Sequence, residues 1–171
     1  MAKGLTSSYF PMGAVGMRRA IADAFATTVF PSGLTYGSHP LACATALAVI
    51  EVMKDEHLVE RARERGRVLA ELLQTMAASH PSVGAVRSIG LFGIVELVKN
   101  RSTREPLAPF NGSSPPMRQL AAFFRQEGLF TFVRWNYFFT NPPLTISDDE
   151  LRDAFGIIDR GLTLTDAAMT G

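Results

Sequence analysis

The chain has 171 residues, of which 47% are hydrophobic and 19% charged, and its formal net charge at pH 7 is +1. This composition is typical of a globular protein, and the small net charge gives no electrostatic reason to expect nucleic-acid or membrane partners. The single cysteine, Cys43, excludes an internal disulfide, and the apolar stretch from Leu41 to Met53 is too short to span a bilayer. We therefore expect a cytoplasmic protein that binds neither nucleic acid nor membrane.

A loop around Lys3 is the first feature along the chain, where residues 2–15 read AKGLTSSYFPMGAV. A lysine followed by a glycine, a Thr/Ser turn and an aromatic-X-Pro step is expected on a tight loop rather than on a helix face. Such a lysine can enter a pocket, lose hydration and give up its proton, which a nucleophilic amine requires. The alternative is an ordinary solvated lysine. Residues 1–50 contain one acid, Asp23, and this low charge suits a segment buried in a larger body.

The next feature is a loop that leads into a helix, where residues 33–40 read GLTYGSHP. Pro40 suits the first turn of a helix, and the following residues predict one from Leu41 to Lys54. The hydroxyl of Thr35 and the backbone N–H groups before this helix form a potential anion site, although a turn that only caps the helix is the alternative. The helix is apolar on most faces, so we expect it to be buried between other elements.

The pattern after residue 55 predicts a separate α+β domain. Asp55 is expected to cap a helix that runs to about Ala78, with its apolar residues in one stripe and Gly66 as a weak point. Residues 83–98 predict a strand, a glycine-containing turn and a second strand. Residues 99–114 are polar and contain proline and glycine, so we expect a surface loop there.

The last part of the chain predicts two further helices around a pair of strands. Pro116 opens a helix that Gly128 ends. Residues 129–134 and 137–140 are β-like in composition. Residues 147–150 read SDDE, a capping box, which predicts the start of the last helix. The apolar side chains expected on one face of that helix are Leu151, Phe155 and Ile158.

An arginine near these strands is a candidate for substrate binding. Residues 132–146 read FVRWNYFFTNPPLTI, which places Arg134 shortly before a Pro-Pro-Leu sequence. A planar guanidinium with five donors is suited to a carboxylate. The alternatives for Arg134 are a structural ion pair or packing on Trp135.

These three stretches, in this order, resemble the class III (omega-type) aminotransferases, which use pyridoxal 5'-phosphate (PLP). Residues 2–15 resemble the segment around the cofactor lysine, residues 33–40 resemble a phosphate-binding loop, and residues 132–146 resemble the stretch that carries a substrate-binding arginine. Two positions depart from the family pattern. Ser8 stands where Gly or Ala is frequent, and Ser38 replaces a usual Gly, so the resemblance leaves the backbone of the second loop open.

The resemblance implies a role for each candidate residue. Lys3 is expected to form a Schiff base with PLP and to act as the general base of catalysis. Thr35 is expected to bind the cofactor phosphate across a dimer interface, and Arg134 the carboxylate of a substrate. His39 is expected to form structural hydrogen bonds. The implied reaction moves an amino group from a small amine or amino acid to a keto acid such as pyruvate or 2-oxoglutarate, and no metal site is expected.

The resemblance also implies an α/β architecture, namely the C-terminal part of fold type I of the PLP-dependent transferases. Residues 1–54 would be the end of the large PLP-binding domain and residues 55–171 the small α+β domain of a homodimeric enzyme. In the family a long stretch precedes the cofactor lysine, so we expect this chain alone to be inactive. The alternatives are another PLP reaction on the same scaffold, such as that of an aminomutase or decarboxylase, or a non-catalytic truncated product.

Overall fold

The computed structural model describes residues 1–170, which divide into two compact units between His57 and Leu58. His57 has a φ of 51°, in the left-handed region that residues other than glycine rarely adopt. A residue in this conformation does not continue a right-handed helix, so helical geometry is interrupted between the two units. The assignment of residues 1–54 and 55–171 to the large and small domains of an enzyme stays a prediction.

The first unit contains little regular structure besides one long helix. Its elements are a 3₁₀ turn (Lys3–Thr6), helix α1 (Arg19–Asp23) and helix α2 (Pro40–Asp55). Pro40 occupies the first turn of α2, as predicted. The prediction that Asp55 caps the next helix is wrong, because Asp55 is the last residue of α2. The N–H of Glu56 still donates to the carbonyl oxygen of Val52 at 3.0 Å, so the helical hydrogen bonding continues past Asp55.

Helix α2 is not buried within its unit. Its buried residues are Ala42 and Ala46, whereas Leu41 is 58% exposed and Leu47 is 61% exposed. The 3₁₀ turn packs against α2 and covers only part of its surface. The prediction of a helix buried on most faces is therefore wrong for residues 1–57 taken alone, since an apolar composition does not specify which element covers it.

The second unit is an antiparallel sheet with helices, as the predicted α+β pattern requires. Its elements are α3 (Leu58–Ser79), β1 (Val83–Ile89), β2 (Phe92–Asn100), β3 (Glu105–Pro106), α4 (Pro115–Gln126), β4 (Val133–Arg134), β5 (Tyr137–Thr140) and α5 (Asp148–Asp166). The strand order is β1-β2-β5-β4, and β3 pairs with β2. The register is fixed by pairs such as Val86 with Val95 and Val95 with Phe138.

A continuous hydrophobic core holds the second unit together. The apolar stripe predicted for α3 is confirmed, with Leu69, Leu73 and Met76 buried. These side chains join Leu120 of α4 and Phe138 of β5 in one cluster. Apolar positions at helical spacing thus face the sheet, which removes them from water.

The capping box before α5 is confirmed in full. The N–H of Glu150 donates to the Ser147 hydroxyl at 3.2 Å, and the N–H of Ser147 donates to the Glu150 carboxylate at 2.8 Å. The backbone hydrogen bond from Ser147 lowers the pKa of the Glu150 carboxyl. The expected face of the helix is also buried, at Leu151, Phe155 and Ile158.

Two other predictions in this unit are wrong in part. Residues 99–114 are not simply a surface loop, because β2 extends to Asn100 and Leu107 is only 1% exposed. The N–H of Leu107 donates to the carbonyl oxygen of Leu97 at 3.0 Å, which draws the loop onto the sheet. Of residues 129–134, only Val133–Arg134 form a strand.

Gly66, which was expected to be a weak point of its helix, has a packing role. It is buried in α3, and a Cβ at this position would lie 2.5 Å from the Cα of Gly90. Gly90 lies in the turn between β1 and β2, so α3 and this turn approach at backbone distance.

None of the helices described within residues 1–170 has the length and hydropathy that crossing a membrane requires.

Candidate cofactor and substrate sites

Lys3 lies at the start of a closed loop, as its sequence context predicts. The loop is joined at its ends, because the N–H of Ala14 donates to the carbonyl oxygen of Met1 at 2.8 Å and the Met1 amino group donates to the carbonyl oxygen of Ala14 at 2.6 Å. Lys3 itself has a φ of 56°, and Ser7 and Ser8 also lie in the left-handed region. These conformations make the tight turns that present Lys3 on an exposed part of the loop.

Thr6 fixes the base of this loop, a role that the sequence analysis did not predict. Its side chain is 1% exposed, and its hydroxyl donates to the carbonyl oxygen of Phe10 at 2.5 Å. The N–H of Tyr9 donates to the carbonyl oxygen of Thr6 at 3.0 Å. The residue type alone does not distinguish Thr6 from the exposed hydroxyl residues Ser7 and Ser8, so only the fold shows which of them is structural.

The ammonium group of Lys3 is not neutralised by a neighbouring acid. Among residues 1–170, no Asp or Glu carboxylate lies within ion-pair distance of Lys3, whereas Lys99 pairs with Glu105 at 3.2 Å. An exposed amine without an ion pair can reach an external electrophile. Exposure without an ion pair is also found for Lys54 within residues 1–170, and it matches the alternative of an ordinary solvated lysine, so the covalent role of Lys3 stays a prediction.

Thr35 lies in a turn directly before the N-terminus of α2. The N–H of Gly37 donates to the carbonyl oxygen of Leu34 at 2.8 Å, which closes the turn. Ser38, the residue that replaces a usual glycine in the family pattern, has a φ of 57°. The serine thus adopts the left-handed conformation that glycine allows more easily. Thr35 is exposed, so its hydroxyl is open to a ligand.

His39 connects the two loops of the first unit by ring contacts. Its ring centroid lies 5.3 Å from that of Phe10 and 6.0 Å from that of Tyr36. Its Nδ1 atom is buried and has no hydrogen-bond partner within residues 1–170. The hydrogen-bonding role predicted for His39 is therefore not formed through Nδ1, and His39 acts here as a stacked ring between the Lys3 loop and the Thr35 turn.

Arg134 lies in β4, next to the tip of the β4–β5 hairpin in the second unit. It is exposed, and its Cζ atom lies 4.3 Å from the centroid of the Trp135 ring. Arg134 pairs with Tyr137 in the hairpin register, so Trp135 and Asn136 form the turn. No ion pair of Arg134 occurs in the described chain. Its five donors therefore remain open to an external carboxylate.

The aromatic residues near Arg134 divide between core and surface. Phe138 is 0% exposed and belongs to the core, whereas Trp135 and Tyr137 pack on each other at 5.6 Å with ring planes at 89°. Phe139 lines a cavity of about 400 Å³ between the hairpin and α5. No charged side chain lines this cavity, so it does not have the chemistry of a carboxylate site.

The three predicted site residues thus belong to two units. Lys3 and Thr35 lie in the first unit, where the Phe10–His39 contact connects their loops, and Arg134 lies in the second unit. Within residues 1–170, no group of three or more His, Cys, Asp or Glu side chains is arranged to hold a metal ion. The roles of the three residues stay predictions.

A comparison with known protein families gives one match over most of the chain. The sequence profile of the family described as aminotransferase class-III matches residues 1–162. The match includes Lys3, Thr35 and Arg134.

Individual relatives and solved structures agree with this match. The chain is 32% identical over 99% of its length to a putrescine–pyruvate aminotransferase from Pseudomonas aeruginosa, of which it covers 36%. It is also 32% identical over 91% of its length to an ethanolamine-phosphate phospho-lyase homolog from Caenorhabditis elegans, of which it covers 32%. The structure of a taurine:2-oxoglutarate aminotransferase from Bifidobacterium kashiwanohense, in complex with PLP and glutamate, has a TM-score of 0.92 and 34% identity, with 99% of this chain and 38% of that chain covered. The chain thus spans about a third of the length of these proteins, between 32% and 38%.

Proposed function

This chain belongs to the class III aminotransferase family, and from that premise we propose that it serves a transaminase that moves an amino group from an amine or amino acid to a keto acid. The observation that carries the proposal is the loop closed by Met1 and Ala14, which has Lys3 at its start and lies in the stretch that the family profile matches. The family and the fold predicted from the sequence are both confirmed, since the structural match covers 99% of the chain.

The residues of the first unit fit PLP, the cofactor of this family. PLP supplies an aldehyde that an amine can attack and a ring that accepts electrons from the substrate carbon. Lys3 offers the amine for this attachment. Thr35 and the N-terminal N–H groups of α2, a helix that spans Pro40–Asp55, offer a hydroxyl and backbone donors for the phosphate. We assign Lys3 and Thr35 as cofactor-binding residues on this chemistry, with Thr35 binding the phosphate across the dimer interface.

Lys3 has a second task in this proposal. As a free amine, its Nζ atom accepts a proton from the substrate α-carbon and returns it at a later stage, which is general acid–base catalysis. The buried Thr6 holds the base of the loop that carries Lys3, which supports this task.

Arg134 is assigned to the carboxylate of the acceptor keto acid. Its guanidinium is exposed and carries five donors in a planar fork, which can bind both oxygens of a carboxylate. The substrates proposed are a small amine and a keto acid such as pyruvate or 2-oxoglutarate. The putrescine–pyruvate and taurine:2-oxoglutarate enzymes among the relatives support this class of substrate.

The assembly and the location of the enzyme follow as further proposals. We propose a homodimer, in which the large domain ends with residues 1–54 and residues 55–171 form the small domain. The exposed apolar side chains of residues 1–57 support association. The single cysteine supports a reducing compartment, and the cytoplasm is the proposed location.

A second candidate is another PLP reaction on the same scaffold. The similarity to a phospho-lyase homolog from Caenorhabditis elegans supports this candidate, because that name denotes a reaction other than amino transfer. The two candidate reactions differ in whether the amino group of the substrate is transferred to a keto acid. A transaminase delivers the amino group to an added keto acid, whereas a lyase releases its product without any keto acid.

The proposal is tested by locating the cofactor on the protein. The chain has three lysines, Lys3, Lys54 and Lys99. Reduction of the PLP-bound protein with borohydride, followed by peptide mass mapping, is expected to place the pyridoxyl group on Lys3. Lys54 lies on helix α2 and Lys99 pairs with Glu105, so both serve as internal controls. Labelling mainly at Lys54 or Lys99 would contradict the assignment.

A further inference from the structure

Trp135 is held in a fixed position beside Arg134. Its ring centroid lies 4.3 Å from that of Phe110, with ring planes at 55°, and 5.6 Å from that of Tyr137. The Cζ atom of Arg134 lies 4.3 Å from the centroid of the same indole. Three side chains therefore surround the indole, and one of them is the proposed carboxylate-binding arginine.

The backbone of Trp135 adopts a conformation that a tryptophan does not prefer. Trp135 has a φ of 51°, a conformation that is sterically unfavourable for a bulky aromatic residue. The next residue anchors the turn, because Asn136 accepts a hydrogen bond from the Leu97 N–H at 2.6 Å and its side-chain amide donates to the Leu97 carbonyl oxygen at 3.1 Å. The fold thus holds a tryptophan where glycine or asparagine would be less strained.

A guanidinium against an indole face is restrained without losing its hydrogen-bond donors. The attraction of the cation to the ring limits the rotamers of an otherwise exposed side chain. The N–H donors of arginine point outward in the guanidinium plane, so they are not consumed by the ring. Arg134 has no ion pair among the described residues, and Trp135 is therefore the partner that orients it.

We propose that Trp135 is a positioning residue, which orients Arg134 to receive the carboxylate of the keto acid. This inference rests on the carboxylate-binding role proposed above for Arg134. Pre-orientation reduces the rotamer entropy that is lost when the carboxylate binds. Trp135 therefore acts on the affinity for the acceptor and has no contact with the reacting atoms.

The kinetic test compares three substitutions at position 135 in a full-length, PLP-bound enzyme that contains this chain. Trp135→Asn removes the ring and keeps a residue that tolerates the left-handed backbone, whereas Trp135→Phe and Trp135→Tyr keep a ring. We expect Trp135→Asn to raise the KM for the keto acid by roughly 2- to 5-fold with little change in kcat, the effect of one exposed cation–π contact. The ring-keeping variants should restore most of the affinity. An amine donor without a carboxylate should keep its KM in all three variants.

The Arg134→Ala variant separates failure of this inference from failure of the proposed function. If Arg134→Ala leaves the KM for the keto acid unchanged, the carboxylate role of Arg134 is wrong and the inference falls with it. If Arg134→Ala raises that KM and Trp135→Asn does not, the inference alone is wrong. Equal effects of Asn, Phe and Tyr at position 135 would also overturn it.

A spectroscopic readout on the 171-residue chain tests the contact without any activity. Trp135 is the only tryptophan, so ring-current shifts of arginine side-chain signals have one indole source. We expect the NMR signals of Arg134 to lie upfield of those of exposed arginines and to lose this shift in Trp135→Asn. The amide signal of Phe138 serves as the control for an intact sheet. Unshifted Arg134 signals in the unsubstituted chain would contradict the proposal.

Discussion

Residues 58–170 bury a continuous hydrophobic core, whereas in residues 1–57 the buried apolar side chains are Ala42 and Ala46. The side chains of the first unit that are more than three-quarters exposed include Met1, Tyr9, Val15, Val29, Leu34 and Tyr36. The candidate cofactor residues thus lie in the unit with little core of its own, and the candidate carboxylate residue lies in the unit with a complete core. The difference indicates that the stability of this chain comes from the second unit. In the first unit, hydrogen bonds within the loops hold the candidate cofactor residues Lys3 and Thr35 in place.

The largest expected effect compares one leucine from each unit. Leu73 is 1% exposed in the core of the second unit, and Leu47 is 61% exposed on α2. Leu73→Ala is expected to lower the free energy of unfolding by about 2–5 kcal/mol, because it removes buried apolar contacts and leaves a cavity. Leu47→Ala should change it by no more than about 0.5 kcal/mol. Urea denaturation of the chain measures both, and equal losses would contradict the comparison.

A buried histidine gives the second unit a pH-dependent contribution to stability. The Nδ1 atom of His80 lies 2.6 Å from the Asp166 carboxylate, and its Nε2 atom lies 2.9 Å from that of Asp159. Burial lowers the pKa of His80, but the hydrogen bonds and charges of Asp166 and Asp159 outweigh burial and raise the pKa above its ordinary value. The two carboxylates therefore favour the imidazolium form of His80, which lies between the end of α3 and helix α5.

The sign of the pH effect follows from this raised pKa. Stability from His80 is fully present below its unfolded pKa of about 6.5 and is lost as the pH rises through the folded pKa. We expect unfolding of the second unit to become easier over that range. His80→Gln should remove this dependence and lower stability at pH 6 by about 1.5–3 kcal/mol, since charged hydrogen bonds are lost. Identical pH profiles for the two proteins would show that another group is responsible.

A smaller effect is expected at the helix N-caps, where the chain offers a matched control. Ser147 caps α5 with its hydroxyl, whereas Ser114 stands at the N-cap of α4 without a side-chain cap bond, and its buried hydroxyl has no partner in the described chain. Ser147→Ala is expected to destabilise the second unit by about 1 kcal/mol. Ser114→Ala should be neutral or slightly stabilising, because it removes an unpaired buried polar group. The midpoints of thermal unfolding distinguish the two, and a larger loss at Ser114 would contradict the assignment.

Local signals explain why most of the second unit was predictable. Ser147 and Glu150 satisfy each other across one helical turn, and the apolar stripe of α3 needs only helical spacing. The errors come from contacts between distant residues. Gly66 meets the backbone of Gly90, and Leu107 bonds to Leu97, so neither role can be inferred from neighbouring residues.

The same distinction between local signals and contacts of distant residues applies to the candidate sites. Lys3, Thr35 and Arg134 were predicted because their family motifs occur in order along the chain. The buried hydroxyl of Thr6 and the left-handed conformation of Trp135 depend on where the chain folds back, so the motifs contain no signal for them. The apolar composition of α2 predicted a helix correctly, but it did not specify which surface would cover that helix.

The most direct test of the roles proposed for Lys3 and Arg134 measures the two half-reactions separately in Lys3→Ala and Arg134→Ala variants of a full-length, PLP-bound enzyme that contains this chain. Lys3→Ala should abolish both, because the same amine serves the donor and the acceptor. Arg134→Ala should reduce kcat/KM for the keto acid by roughly 30- to 150-fold, equivalent to about 2–3 kcal/mol, and leave a donor without a carboxylate nearly unaffected. Arg134→Lys should rescue only in part. Equal losses in both half-reactions for Arg134→Ala, or a Lys3→Ala variant that still turns over, would contradict this account.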